Sequence, residues 1–272
     1  MNTFQAIVLG FVQGVTEFLP ISSTAHLRIV PALAGWSDPG AAFTAVLQLG
    51  TLVAVIGFFL PDLLRMVGAA LAAIKDPARR NDPHARQLLY LIVGTIPVGV
   101  AGILFKKSIE GPFRSLWVIA TTLIVVGIAL GLVERAARRT RAFDSIVLRD
   151  VIIIGCAQAL ALVPGVSRSG ITLLAAMALG LQRDAAARFS FLLSVPAVAA
   201  AGIFELPAVM KAKDISGGAL MIGLLAAAIS GYASIFWLLR FLRTRTTFPF
   251  VAYRVALGVV IFALLFTSRL NP

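Results

Sequence analysis

Two polar segments interrupt apolar stretches of this sequence, and both contain side chains that could do chemistry. The first reads Gln13-Gly-Val-Thr-Glu17-Phe-Leu-Pro-Ile-Ser-Ser-Thr-Ala-His26. Gln13 and Glu17 are four residues apart, so a helix places both on one face. Oxygen ligands at that spacing suit a hard divalent cation such as Mg²⁺ or Ca²⁺. The sequence therefore predicts a metal site at Gln13 and Glu17.

The same segment contains a candidate nucleophile. Pro20 should end a helix, and Ser22, Ser23 and Thr24 can cap the next one. His26 follows Ser23 by three residues, about one helical turn. A hydroxyl near an imidazole is the arrangement of an activated nucleophile, so we expect Ser23 to attack with His26 as base. Direct attack by His26, and a capping role alone for the serines, are the alternatives.

The second polar segment has the features of an anion site. It reads Pro164-Gly-Val-Ser-Arg-Ser-Gly-Ile-Thr172. Gly165 would let the backbone approach a ligand closely, and a helix N-terminus offers free N–H groups. The guanidinium of Arg168 is a planar fork of donors that matches phosphate oxygens. Hydroxyl donors stand nearby at Ser167, Ser169 and Thr172. The segment therefore predicts a phosphate-binding site.

The composition indicates what must position these segments. The chain has 272 residues, of which 59% are hydrophobic and 13% charged, with a mean hydropathy of +0.95. Soluble domains carry about a quarter charged residues, so a polytopic membrane protein is expected. The net charge of +12 is spread over short loops, which favours control of membrane orientation and argues against a nucleic-acid partner. One cysteine, Cys156, cannot form an internal disulfide.

Six apolar stretches approach the roughly twenty residues that a membrane helix needs. They run over 41–61, 87–105, 115–133, 189–210, 215–239 and 246–268. Two further apolar regions, 4–31 and 151–182, are broken by the polar segments, which leaves each half too short to span. Such a region is expected to fold as a re-entrant hairpin whose break is buried or lines a wet cavity. The predicted fold is all-α.

The two broken regions resemble each other, which predicts an internal repeat. The residues at 7–10 align with those at 152–155, and the serines at 22–23 stand opposite the cluster at 167–169. A hairpin plus three spanning helices thus occurs at 1–140 and again at 148–272. Because three is odd, the second copy would be inverted in the membrane. Chance similarity of apolar segments is the alternative.

Lysine and arginine counts predict the orientation. Loops 62–86 and 134–149 hold five each, 240–245 holds three and 183–188 holds two. The opposite loops hold six, at Lys106, Lys107, Arg114, Lys211, Lys213 and Arg269. By the positive-inside rule, the first set is expected to be cytoplasmic. The two breaks should then meet near the middle of the membrane.

Ionisable groups inside apolar segments are costly unless they are paired, so each is a functional hypothesis. Glu17 and Arg168 stand at equivalent breaks and should share a pocket if the hairpins meet. Arg254 lies in the last spanning helix, where it could bind substrate or pair with a backbone carbonyl. For Arg28, at a hairpin mouth, the alternative is contact with lipid headgroups.

The two motifs, 13–26 and 164–172, resemble the signature motifs of the bacterial undecaprenyl pyrophosphate phosphatase family, the bacitracin-resistance family. The similarity extends over essentially the whole chain and includes the Phe189-Ser-Phe-Leu-Leu-Ser-Val-Pro196 run. The family accepts glutamate or glutamine at position 13, so the glutamine here leaves metal binding more dependent on Glu17. Arg254 also matches a family arginine.

The resemblance implies hydrolysis of undecaprenyl pyrophosphate to the monophosphate carrier used in cell-wall synthesis, and with it bacitracin resistance. It also implies a divalent metal, a bacterial inner-membrane location and a site that opens to the outer, periplasmic side. The matching functional positions are Glu17, Ser23, His26, Ser167, Arg168, Ser169 and Thr172; Ser22 joins them as a phosphate-binding candidate. The expected partners are a polyprenyl pyrophosphate and membrane lipids, with a homodimer left open.

Two other classes of function are compatible with parts of the pattern. Inverted repeats with broken helices are typical of transporters, so a lipid-phosphate flippase or an ion-coupled transporter is the main alternative. Release of inorganic phosphate in detergent would distinguish an enzyme from a transporter. An intramembrane protease would need a further acid or histidine set, and the chain has two histidines, one of them in a basic loop.

Overall fold

The computed structural model describes residues 1–211 and 217–270, which form twelve α-helices joined by short turns. The helices are α1 (Thr3–Phe18), α2 (Ser23–Ala34), α3 (Gly40–Phe58), α4 (Leu60–Lys75), α5 (Pro83–Leu104), α6 (Lys106–Glu110), α7 (Leu116–Ala136), α8 (Leu148–Ala159), α9 (Arg168–Ala178), α10 (Arg183–Lys211), α11 (Gly217–Thr244) and α12 (Phe248–Phe266). The predicted all-α fold is confirmed.

Among the residues that the structure describes, six helices are long and apolar enough to cross a membrane, namely α3, α5, α7, α10, α11 and α12. Each contains most of one of the six predicted apolar stretches, so the number and order of spans are confirmed. The chain is a multi-pass membrane protein. Ile215, the predicted start of one span, and Lys213 lie outside the described residues.

The structure corrects the predicted loop 62–86. Its first part belongs to α4, a helix of 16 residues. Asp62 and Arg65 interrupt the apolar run, which hides the helix from a search for charge-free stretches. The apolar residues nevertheless recur at helical spacing, as Leu64, Leu71 and Ile74 show on the exposed face. Likewise, the predicted loops 183–188 and 240–245 lie largely in the ends of α10 and α11.

Each broken region forms two short helices that pack against each other, α1 with α2 and α8 with α9. These helices have 16, 12, 12 and 11 residues, below the length that crosses a bilayer. The first helix of each pair packs against a long helix of the other half, α1 along α11 and α8 along α5. The breaks are thereby enclosed by protein.

Glycines allow these two close contacts. A Cβ atom on Gly10 would lie 2.2 Å from the carbonyl oxygen of Gly223, and one on Gly155 would lie 2.6 Å from that of Gly94. Gly10 and Gly155 are aligned in the two halves of the sequence. The longer helices also pair across the halves, α3 with α10 and α7 with α12. The internal repeat, its inversion in the membrane and the re-entrant path of the two hairpins stay predictions.

Candidate functional site

In each hairpin, one serine caps the start of the second helix, and the two serines have the same unusual backbone conformation. Ser22 has φ 75° and Ser167 has φ 73°, in the region that residues other than glycine rarely adopt. The hydroxyl of each accepts a hydrogen bond three residues on, Ser22 from Ala25 N over 3.4 Å and Ser167 from Gly170 N over 3.1 Å. Both serines are therefore N-caps, as the capping alternative predicts. Strained, non-glycine turns of this kind concentrate at functional sites.

The carboxylate of Glu17 is the centre of the site. Oε2 accepts hydrogen bonds from Ser23 Oγ over 2.5 Å and from Gln13 Nε2 over 2.8 Å. Oε1 accepts from the guanidinium of Arg168. Glu17 is only 5% exposed. The carboxylate thus joins a hydroxyl of the first break to a guanidinium of the second, and the expected meeting of Glu17 and Arg168 is observed.

The guanidinium of Arg168 is held at two of its nitrogens. Nη2 bonds to Glu17, and Nη1 donates to the carbonyl oxygen of Ser194 over 3.2 Å. The carbonyl belongs to α10, so a spanning helix of the second half orients the guanidinium. Ser194 is absent from the sequence predictions because its contribution is a main-chain atom, which residue type does not encode. The Arg168 side chain retains partial exposure, 15%, on the site.

The three other predicted phosphate ligands of the second segment each contact another part of the protein. Ser169 Oγ donates to Leu19 O over 2.9 Å, a further bond between the two breaks. Thr172 is fully buried, and its hydroxyl lies 2.6 Å from Ser190 Oγ. Gly165 packs against α7, where a Cβ atom would lie 2.0 Å from Thr122 Oγ1. Gly165 is therefore required first for close packing of the second break on α7.

Arg254 ties the two breaks together from α12. Its side chain is fully buried, and its bonds go to main-chain carbonyl oxygens. Nη1 donates to Pro20 O over 3.0 Å, and Nη2 donates to Gly165 O over 2.9 Å and Val166 O over 3.1 Å. Nε donates to Leu123 O of α7 over 3.2 Å. This geometry fits the carbonyl-pairing alternative for Arg254.

The imidazole of His26 is bonded at both nitrogens. Nδ1 lies 2.7 Å from Ser22 O, and Nε2 lies 2.6 Å from the hydroxyl of Tyr253. Because a carbonyl oxygen only accepts, we assign the proton to Nδ1, which leaves Nε2 as acceptor. Within the described residues, the hydroxyl of Ser23 bonds to Glu17 instead of His26. The expected Ser23–His26 contact is not observed, because the Ser22 carbonyl and Tyr253 already occupy the ring.

The donors around Glu17 fit a hard divalent cation. Gln13 is fully buried, and its Oε1 has no hydrogen-bond partner within the part of the chain that the structure describes. The other end of the same amide bonds to Glu17. The described residues contain no group of three or more His, Cys, Asp or Glu side chains that could hold a metal. The oxygen-bearing side chains that bond to Glu17 are those of Gln13 and Ser23, and a Mg²⁺ or Ca²⁺ site accepts amide, phosphate and water oxygens beside a carboxylate.

Arg28 has a protein partner at the mouth of the first hairpin. Its Nε lies 3.6 Å from Asp38 Oδ2. Arg114 binds the same carboxylate with two nitrogens, Nη2 at 2.5 Å and Nε at 3.1 Å. Burial alone would raise the pKa of Asp38, but the hydrogen bonds and charge of Arg114 outweigh it and lower that pKa. The ionised pair fastens the segment before α3 to the one before α7.

Comparison with known proteins adds a family likeness to this geometry. The family model "Bacitracin resistance protein BacA" matches residues 6–260. An "Undecaprenyl-diphosphatase" of Myxococcus xanthus is 53% identical over 273 residues, which cover all of this chain and 92% of the relative. One from Nocardioides sp. is 51% identical, with 98% of both chains covered. "Undecaprenyl-diphosphatase 2" of Streptomyces coelicolor is 45% identical over all of this chain and 98% of its own.

Proposed function

The chain belongs to the bacitracin resistance protein BacA family, and from this premise we propose that it is a membrane-embedded undecaprenyl-diphosphatase. It removes the terminal phosphate of undecaprenyl diphosphate and releases the lipid monophosphate and inorganic phosphate. One observation carries the assignment of the site: the Glu17 carboxylate bonds to a serine hydroxyl of one break and an arginine of the other. That combination can bind and cleave a diphosphate.

The second break holds the phosphate that is transferred. Arg168 supplies a fork of charged donors, and the amides at the start of α9 lie at the N-terminus, which is the positive end of the helix dipole. Ser169 adds a hydroxyl that already lies at the junction of the breaks. The isoprenoid chain stays in the bilayer, so the diphosphate enters between helices. Phosphoryl transfer develops charge on the equatorial oxygens, and Arg168 is placed to stabilise it.

Ser23 is the nucleophile in this proposal. Its Oγ–H donates to Glu17, so the carboxylate takes the proton as Oγ forms a bond to the terminal phosphorus. The bridging P–O bond breaks, and the lipid monophosphate leaves with its electron pair. His26 carries its proton on Nδ1 and accepts a hydrogen bond from Tyr253 at Nε2. When the bond from Tyr253 opens, Nε2 can take a proton from the water that cleaves the phosphoserine. Direct attack by His26 is the competing mechanism.

Gln13 and Glu17 would hold the divalent cation. When bound, the cation offsets negative charge on the diphosphate. Support for the pair comes from Gln13, whose Nε2 bonds to the carboxylate while its buried Oε1 has no hydrogen-bond partner among the residues that the structure describes. Removal of the cation should therefore lower the rate of phosphate release.

The direct test is release of inorganic phosphate from undecaprenyl diphosphate by the purified protein in detergent. We expect multiple turnovers without a second compartment, loss of activity with a chelator, and its return when Mg²⁺ or Ca²⁺ is restored. A folded protein that releases no phosphate would exclude the phosphatase. The relatives described above are named as diphosphatases and give no support to a flippase or an ion-coupled transporter. A homodimer stays a prediction.

The location we propose is the bacterial inner membrane, with the site open to the periplasm. Arg138 follows α7 and Lys107 lies in the short helix α6; both are exposed, and they belong to connections assigned to opposite sides of the membrane. In a Cys156→Ser background, Lys107→Cys should react with an impermeant thiol reagent on intact cells, whereas Arg138→Cys should react only after permeabilisation. The reverse pattern would invert the topology. Cys156 is replaced because it is an exposed free thiol.

A further inference from the structure

Tyr253 of α12 meets His26 of α2 at the junction of the hairpins. The phenol hydroxyl lies 2.6 Å from Nε2, and the two rings are nearly parallel, at 7°, with centroids 5.7 Å apart. Tyr253 comes 227 residues after His26 in the chain. The contact therefore depends on the docking of the last spanning helix against the first hairpin.

The position of Tyr253 is fixed by the residue that follows it. Arg254 bonds to Pro20 O of the first break and to Gly165 O of the second. These bonds fix the position of the α12 backbone relative to both breaks at Arg254. Tyr253 is the preceding residue in the chain, so the bonds of Arg254 to the two breaks also set the position from which the phenol reaches His26.

The bond to His26 distinguishes Tyr253 from an ordinary interfacial tyrosine. Tyrosines near membrane surfaces bury the ring and direct the hydroxyl to water or headgroups. The Tyr253 side chain is also partly exposed, at 43%, so packing alone does not account for its orientation. Its hydroxyl points inward to a nitrogen that the proposed mechanism uses.

Both ring nitrogens of His26 then have a partner, Ser22 O at Nδ1 and Tyr253 at Nε2. Two bonds at opposite ends of the imidazole prevent rotation of the ring. A hydroxyl both donates and accepts. It can donate to Nε2 when the imidazole is neutral and accept from Nε2–H once the imidazole is protonated, which a carbonyl oxygen could not do.

We propose that Tyr253 is a positioning residue of the phosphatase, which acts by holding the imidazole of His26 through both protonation states. The inference rests on the proposed phosphatase function and on His26 as its acid–base group. It extends the site to α12 and assigns a purpose to the tyrosine that precedes Arg254. Tyr253 itself transfers no group and forms no covalent bond.

Tyr253→Phe tests the role because it keeps the ring and removes only the hydroxyl. We expect kcat for phosphate release to fall about tenfold, the effect of one lost hydrogen bond to a reacting group, while KM is unchanged. The matched control is Tyr232→Phe, another half-exposed tyrosine, on α11, whose ring packs on Phe58. It loses the same hydroxyl and should keep the wild-type kcat.

A second measurement reads the hydrogen bond itself. The chain has two histidines, so His84→Gln leaves His26 as the single imidazole in ¹⁵N-histidine-labelled, untagged protein. The Nε2 resonance should move in Tyr253→Phe and stay in place in Tyr232→Phe. An effect of the substitution elsewhere in the protein, without a change at Nε2, would leave this resonance in place.

Three results would overturn the inference: an unchanged kcat, a rise in KM alone, or a lower kcat without a shift of the Nε2 resonance. In each case an active wild type preserves the proposed function. A wild-type protein without phosphatase activity would instead remove the proposed function and this role together. A lower kcat with a shifted resonance and a normal Tyr232→Phe control supports the positioning role.

Discussion

Arg168→Lys should lower phosphate release by about a hundredfold although the positive charge is retained. The guanidinium uses separate nitrogens for Glu17 and for Ser194 O, and a planar fork of this kind also suits two phosphate oxygens. An ammonium is a point charge on a flexible stem and cannot reproduce both directions at once. The loss should appear in kcat, because in the proposed mechanism Arg168 binds the phosphoryl group that is transferred.

Arg183→Lys is the matched control for this substitution. Arg183 also forms an ion pair with a buried carboxylate, Glu134, at the junction of α7, α10 and α12. Both variants lose a guanidinium that bonds through two nitrogens, to Glu17 and Ser194 O in one case and to Glu134 in the other, so both can lose thermal stability. We expect only Arg168→Lys to lose turnover when folded protein is compared. Near-normal turnover of folded Arg168→Lys would remove the phosphate-binding role of this side chain.

The spanning helices could be predicted because a bilayer demands one simple property, a long run without charge. The run at 115–133 meets that demand, and α7 forms over Leu116–Ala136. Helix α4 escaped prediction because it carries Asp62 and Arg65 within an amphipathic pattern. Its helix depends on periodicity instead of on the absence of charge.

The pairing at the centre of the site was also predictable. Glu17 and Arg168 stand at equivalent breaks of two similar segments, so a meeting of the two breaks brings them together. Glu17 and Arg168 are 151 residues apart and form an ion pair. The fixed positions of Ser22 and Ser167 as caps follow from local sequence. The sequence spacing did not predict the contacts of His26, because a separation of three residues from Ser23 permits a contact but does not ensure one.

What decided the His26 contact was a partner that no short motif contains. Tyr253 reaches it from the last helix, and the docking of that helix depends on Arg254 and its main-chain acceptors in both breaks. Main-chain acceptors such as Pro20 O are set by backbone path, which residue types do not specify. A sequence therefore identifies the reactive side chains more readily than the contacts that orient them.

Glu17→Gln should lower phosphate release by about a hundredfold or more, the effect typical of a lost electrostatic stabiliser. The amide keeps the shape and one oxygen but removes the charge that pairs with Arg168. In the wild type, Ser23 and Gln13 both donate hydrogen bonds to Oε2 of Glu17. An amide N–H₂ group at that position could not accept them. Position 13 is glutamine, so the first segment contains no second carboxylate. The metal concentration for half-activity should rise.

Glu205→Gln separates these effects from the general loss of a carboxylate in an apolar helix. Glu205 of α10 bonds to Lys106 over 3.1 Å and takes no part in the proposed chemistry, so its variant should keep wild-type turnover and metal dependence. If folded Glu17→Gln also kept both, Glu17 would be a structural partner of Arg168, and the metal ligands would have to lie elsewhere. If turnover fell while the metal dependence stayed the same, Glu17 would act only as the proton acceptor for Ser23. A metal ligand that loses its charge binds the cation less tightly, so the metal dependence would have to change.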